Sequence, residues 1–200
     1  VISSIALGNV VADALGEGRP RVQLQLKRIR AADHISFKGY GRGAAAMGSL
    51  DAARLMIAVA GALFATDALE ALLRFKDLPG TSPKGNGCVL EGFLKERIDA
   101  VRSGQDASFF GSAMARPFNP AGEAALKLIW TGPPGKNGPS AAVVRWFRND
   151  GKSDAATFSN VASSRPILDE GRFAAATGGG ELVRSATVPT RALHTIAAAL

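Results

Sequence analysis

Through the first hundred residues the apolar side chains recur at helical spacing, and past Gly104 that spacing gives way to strand-like runs. Ile5, Val10, Val11, Ala14 and Leu15 mark a first helix, with Gly16 where a C-cap belongs. Pro20 suits the first turn of a second helix. In that helix Val22, Leu26, Ile29 and Asp33 share one face, and Arg21, Gln25, Arg28 and Ala32 share the adjoining one. Residues 35–38 read as a short strand. Ser49 is placed as the N-cap of the next helix and Asp51 in its first turn, with Ala53, Met56, Ile57, Ala60 and Leu63 inward. Thr66 caps another, ended by Pro79 and Gly80, and Leu90, Phe93, Leu94, Ile98 and Val101 outline a further one.

The second half reads differently. Residues 125–131 and 141–148 read as strands joined by a Gly/Pro-rich loop, and Trp130 and Trp146 are placed to stack across the pair. Residues 181–188 form a third strand, and Thr190 caps a C-terminal helix. The expected fold class is therefore α+β. A helical region over 1–78 precedes a linker at 79–87 (PGTSPKGNG) and a small β-rich α+β domain over 88–200.

Charge is concentrated in one place. Arg19, Arg21, Lys27, Arg28, Arg30, Lys38 and Arg42 stand against Glu17 and Asp33, a net +5 within 26 residues of a chain whose total is +7. A basic helix beside a basic glycine-rich tip (Gly39-Tyr40-Gly41-Arg42-Gly43) suits a polyanion, with double-stranded DNA as the expected partner. Arg21, Gln25 and Arg28 are of the right types to read bases, since Arg donates twice to guanine and Gln pairs with adenine. Arg19, Lys27, Arg30, Lys38 and Arg42 suit phosphates, and His34 ends the helix where it could cap it or touch one. Only Phe37 and Tyr40 are aromatic in this stretch, which disfavours a stacking platform for single strands.

From Arg21 to Ile35, and on through Gly43, these residues resemble a winged helix-turn-helix. Many such domains leave the recognition helix through an Arg-x-Ala-Gly-hydrophobic-Ile exit into a basic wing. Here the exit is Arg30-Ala31-Ala32-Asp33-His34-Ile35, with Asp33 and His34 in place of the usual Gly-Leu. The continuation through Met47 into a Ser-capped helix resembles uncharacterised bacterial prophage-type proteins. The resemblance spans roughly residues 1–73. It implies a DNA-binding transcriptional regulator whose 38–42 tip is the wing. It also implies a homodimer matched to a two-fold operator, for which the small-residue helix at 50–63 would suit either packing in the body or the dimer contact.

Other patterns carry less. Gly39-x-Gly41-x-x-Ala44 matches a loose dinucleotide fingerprint, but of the acids such a fold needs about 20 residues on, Asp51 is too close and Asp67 is placed by no visible strand. Gly132-Pro-Pro-Gly135-Lys136 is followed by Asn137 and a strand, where a phosphate loop needs Ser or Thr and a helix, so no cofactor is expected. Cys88 is the sole cysteine and the histidines, His34 and His194, are far apart, so neither a disulfide nor a metal site is expected. No nucleophile or carboxylate pair has a catalytic setting, and an enzyme is not expected. The longest apolar run, 52–63, is broken by Arg54 and too short to cross a bilayer. A cytoplasmic, nucleoid-associated protein is the expectation. The alternative is a non-enzymatic interaction protein, such as a phage structural or assembly component.

Overall fold

The computed structural model describes residues 2–36, 45–103, 124–132, 138–147, 153–179 and 182–200. Helix α1 (Ser4–Leu15) begins where the Ser3 hydroxyl accepts the Ala6 amide at 3.3 Å. It ends on Gly16, in the left-handed region at φ +70°, as the Glu17 amide returns to the Ala12 carbonyl. Helix α2 (Arg19–Ala31) carries Pro20 in its first turn and ends the same way. The Asp33 amide returns to Arg30 and the His34 amide to Ile29, with Asp33 at φ +59°. That is the position where the expected exit motif has glycine. A non-glycine residue there costs on the order of 1 kcal/mol, which the short polar side chain of aspartate tolerates best.

Helix α3 (Ser49–Gly61) is the centre of the helical layer, with α1, α2, α4 (Ala68–Phe75) and α5 (Leu90–Arg102) packed around it. Ala52, Ala53, Leu55, Met56, Ile57, Ala58 and Val59 are all buried. Its small residues therefore pack within this chain's own body. The N-cap is Gly48 rather than Ser49: the backbone is extended at Gly48 (φ −109°, ψ −179°) and already helical at Ser49, whose hydroxyl donates to Asp99 Oδ1 at 2.5 Å. A 3-10 turn (Ala65–Asp67), containing Thr66, leads into α4.

Four antiparallel strands follow: β1 (Ala124–Trp130), β2 (Ser140–Phe147), β3 (Ser153–Ser159) and β4 (Arg184–Pro189), in the order β3-β2-β1-β4. Helix α6 (Glu170–Ala176) precedes β4, and α7 (Thr190–Ala199) follows it. Two elements, β3 and α6, escape the sequence patterns, because Asp154-Ala155-Ala156-Thr157 and the Ala-rich 170–176 run lack a pronounced apolar period. The tryptophans do not stack on each other. Leu126 pairs with Val144, which puts Trp130 opposite Ser140 and Trp146 opposite Asp154, at opposite ends of the hairpin. Trp130 instead meets Phe75 edge-on at 5.7 Å, and Trp146 meets Phe93 at 5.6 Å.

Alternation along the strands gives the sheet two buried faces. Leu126, Leu128, Trp130, Val144 and Phe158 join the helices in one hydrophobic cluster that also holds Leu7, Leu55 and Ile196. Ile129, Ala141, Ile167 and Phe173 form a smaller cluster under α6. Beside it Lys127 Nζ donates to Glu170 Oε2 at 2.6 Å, and this bond, with a second from Ser185, holds the Glu170 carboxyl down to about 2 from an ordinary 4.5. A depressed carboxyl stabilises the fold in full above its unfolded value, and the contribution is lost as pH falls through its folded one. Glu170 is 40% exposed, so solvent screening leaves a contribution of about 1 kcal/mol. Glu170→Gln should cost that amount near neutral pH, and the gap between the two proteins should close as pH falls towards about 2, as read by urea titration at each pH.

The stretch 79–87, expected as a free linker, is bound along the outer edge of β3. Gly80 and Cys88 pair across it, with the Gly80 amide on the Cys88 carbonyl at 3.0 Å. On the other side the Ser159 amide donates to the Pro79 carbonyl, the Thr81 amide to the Thr157 carbonyl, and the Thr157 amide to Ser82 Oγ. The polar Gly/Pro composition that suggests a linker equally suits a chain covering a sheet edge, where no side chains need burying. Among the described residues no helix is long and apolar enough to cross a membrane.

Candidate nucleic-acid interface

The rotation of α2 about its own axis decides which of its side chains face outward. Val22, Gln25, Leu26 and Ile29 are buried against α1, α3 and α4. The outward arc is Pro20, Leu24, Lys27, Arg28 and Ala31, with Leu24 45% exposed. The expected reading face of Arg21, Gln25 and Arg28 is therefore about a quarter-turn off, and only Arg28 keeps its place.

Six of the eight expected contact residues lie among the described residues. Gln25 is wholly buried and neither of its amide atoms has a hydrogen-bond partner, so it cannot reach a base in this arrangement. Arg21 pairs with Glu17 at 2.8 Å and donates to the carbonyls of Ala62 and Leu63, closing the open end of α3. Its guanidinium is thus committed to the body. Arg19 makes a two-pronged pair with Asp13, at 2.8 and 2.6 Å, across the Gly16 turn. The same hydrogen bond holds the Asp13 carboxyl below the usual carboxylate range. Arg30 is half-buried. Lys27 and Arg28 are exposed, with no ion pair or hydrogen bond among the described residues. Lys38 and Arg42, like Phe37 and Tyr40, lie outside the described residues.

The ends of the 37–44 segment are nonetheless well placed. Ile35 is buried, and the Ser36 amide donates to Asp51 Oδ1 at 2.8 Å. At the far end Met47 forms an antiparallel bridge to Ile2, and the Gly48 amide donates to Asp51 Oδ2 at 2.9 Å. One carboxylate, 5% exposed, therefore ties both ends together beside the exit of α2. The sequence marks Asp51 only as an acid in a first helical turn, and nothing local signals that Ser36 will come to it. His34 is pushed down by burial first, then by Lys76 and Arg54. It is accordingly neutral at pH 7 and adds no charge to this surface.

The buried amide of Gln25 yields a test of the packing. An unmet buried polar group costs about 1–3 kcal/mol, so Gln25→Met, similar in shape and apolar, should raise stability by about 1 kcal/mol or more. A lower midpoint in urea would mean that the amide is met by a group such as bound water.

Compared with known proteins, the chain matches no family model, no curated protein and no solved structure.

Proposed function

We propose that this chain is a non-enzymatic DNA-binding protein, a transcriptional regulator of bacterial or prophage type with a winged helix-turn-helix-like N-terminal region. The outward arc of α2 is the recognition surface. Arg28 reads guanine edges, Leu24 and Ala31 offer apolar contact to thymine methyls, and Lys27 meets phosphate. Arg30 lies at the border of that arc, and Lys38 and Arg42 supply the basic wing. Arg19 and Arg21 act as positioning residues that fix α2 to α1 and α3, and Gln25 belongs to the core. The supporting observation is that Lys27 and Arg28 share one exposed face and pair with nothing among the described residues, while Asp51 ties both ends of the 37–44 segment beside the exit of the same helix.

The test is affinity for double-stranded DNA across a salt series. In Lys27→Ala/Arg28→Ala, removing the Arg28 pairing with a base should weaken binding by about 1–3 kcal/mol, and removing the Lys27 charge from a phosphate should reduce the log–log salt slope by about 1. Absence of binding at low salt would sink the proposal. Dimerisation on a two-fold site belongs to the same reading, and ultracentrifugation finding only monomers with and without DNA would remove it.

A second reading, an assembly or structural component, draws on Leu63 and Phe64, adjacent apolar residues that are 46% and 69% exposed. Under that reading Phe64→Ser abolishes self-association and leaves any DNA binding untouched.

A further inference from the structure

Away from α2, the 79–82 segment and the 159–167 loop enclose a cleft of about 80 Å³. Thr81, Ser159, Ser163, Ser164 and Arg165 supply its polar wall, and Ile167 is among its apolar residues. A single water needs only about 10–15 Å³ of such space, so this cleft takes a group of several heavy atoms.

The hydroxyls of Thr81, Ser159 and Ser163 already donate to the carbonyls of Thr157, Ser140 and Arg165, so the donors left to the cleft come from Ser164, Arg165 and the loop amides. Ser164 and the Arg165 guanidinium have no hydrogen-bond or ion-pair partner among the described residues. The amides of Ser163 and Ser164 donate to no backbone acceptor among them. The nearest acid along the chain, Asp169, is engaged elsewhere: it accepts the Arg172 amide at 2.9 Å and lies 3.9 Å from the Arg172 guanidinium. It therefore does not neutralise Arg165.

The loop is also held in place. Asn160 Oδ1 accepts the Ser140 amide, and its Nδ2 donates to Gly138. Ser159 Oγ accepts the Val161 amide, Ser163 Oγ donates to the Arg165 carbonyl, and Arg172 donates to the Pro166 carbonyl. The Ser164 hydroxyl, the loop amides and the Arg165 guanidinium, with no carboxylate in the cleft wall, favour an accepting anion, and a tetrahedral oxyanion has that chemistry.

We propose that this cleft holds the phosphoryl group of a small phosphorylated ligand. The site is separate from α2 and does not depend on the DNA-binding reading. Arg165 carries the charge pairing, and Ser164 with the loop amides supplies the remaining donors.

The experiment is an amide NMR titration of the full chain with inorganic phosphate, then with a nucleoside monophosphate, at ionic strength matched with chloride. Saturable shifts confined to residues around 161–167 are expected, with a Kd of roughly 1 mM for phosphate alone. Arg165→Gln should weaken this at least about tenfold with an unchanged melting curve, because the Arg165 guanidinium holds no other described element together. Saturation by phosphate alone assigns the free ion, and tighter saturation by the monophosphate assigns an ester; either supports the site. The proposal fails if chloride gives the same shifts, if Arg165→Gln binds as well as wild type, or if these amides respond to duplex DNA and not to phosphate.

Discussion

Asp51→Ala should lower stability by about 3 kcal/mol, because it strands the Ser36 and Gly48 amides that its two carboxylate oxygens accept at 2.8 and 2.9 Å. Both bonds are partly buried, although Ser36 as a residue is exposed, and the carboxylate is 5% exposed, so water replaces these bonds poorly. Arg54, beside it, gains from its charge as well. Asp51→Asn keeps only one acceptor oxygen and turns an amide N–H₂ towards the other N–H, so it should recover less than half of the loss. Urea unfolding measures both. If α2 and the 37–44 segment together bind DNA, Asp51→Ala should also bind it more weakly where the variant is still folded, although Asp51 itself repels phosphate. An unchanged unfolding midpoint would show that the carboxylate does not tie the two ends together.

Gly80→Ala should cost about 3 kcal/mol or more and release the 79–87 segment from β3. A β-carbon at Gly80 would lie 1.8 Å from the Gly85 carbonyl oxygen and 2.3 Å from its carbon. Both are backbone atoms, so no rotamer change relieves the overlap. Gly87 is the contrasting site: it has open space around it but sits at φ +80°, so Gly87→Ala should cost only about 1 kcal/mol. Hydrogen exchange supplies the structural readout. The Ser159 and Thr157 amides, which donate to Pro79 and Ser82, should lose protection in Gly80→Ala and keep it in Gly87→Ala. Equal protection in the two variants would show that the segment does not depend on the close pass at Gly80.

The candidate surface on α2 is partly legible in the sequence. The charge cluster and the α1–turn–α2 order can both be placed from residue types and spacing, whereas Asp33, grouped by its spacing with Val22, Leu26 and Ile29, lies past the end of α2 in the left-handed region. The outward face of α2 is available too, because the side opposite Val22, Leu26 and Ile29 is the one carrying Leu24, Lys27 and Ala31. Arg and Gln, as base-reading types, point instead to the adjoining face, where Arg21 and Gln25 lie. An apolar Leu24 outside and a polar Gln25 inside reverse the ordinary preference at two neighbouring positions. Composition does not foretell that exchange.

Features with local causes can be read along the chain. Helix ends follow from Ser3, Gly16 and Pro20, the β1–β2 hairpin from two apolar runs around a Gly/Pro-rich loop, and the basic segment from its own residues. Each depends on side chains within a turn or a strand's length of one another. Long-range packing sets the rest: the rotation of α2, the commitment of Arg21 to the end of α3, the double role of Asp51, the docking of 79–87 on β3 and the cleft beside it. These depend on groups that are 15 to 76 positions apart, such as Ser36 with Asp51 and Thr81 with Thr157. Only the packed core brings them within hydrogen-bonding distance, and no period or motif along the chain encodes that approach.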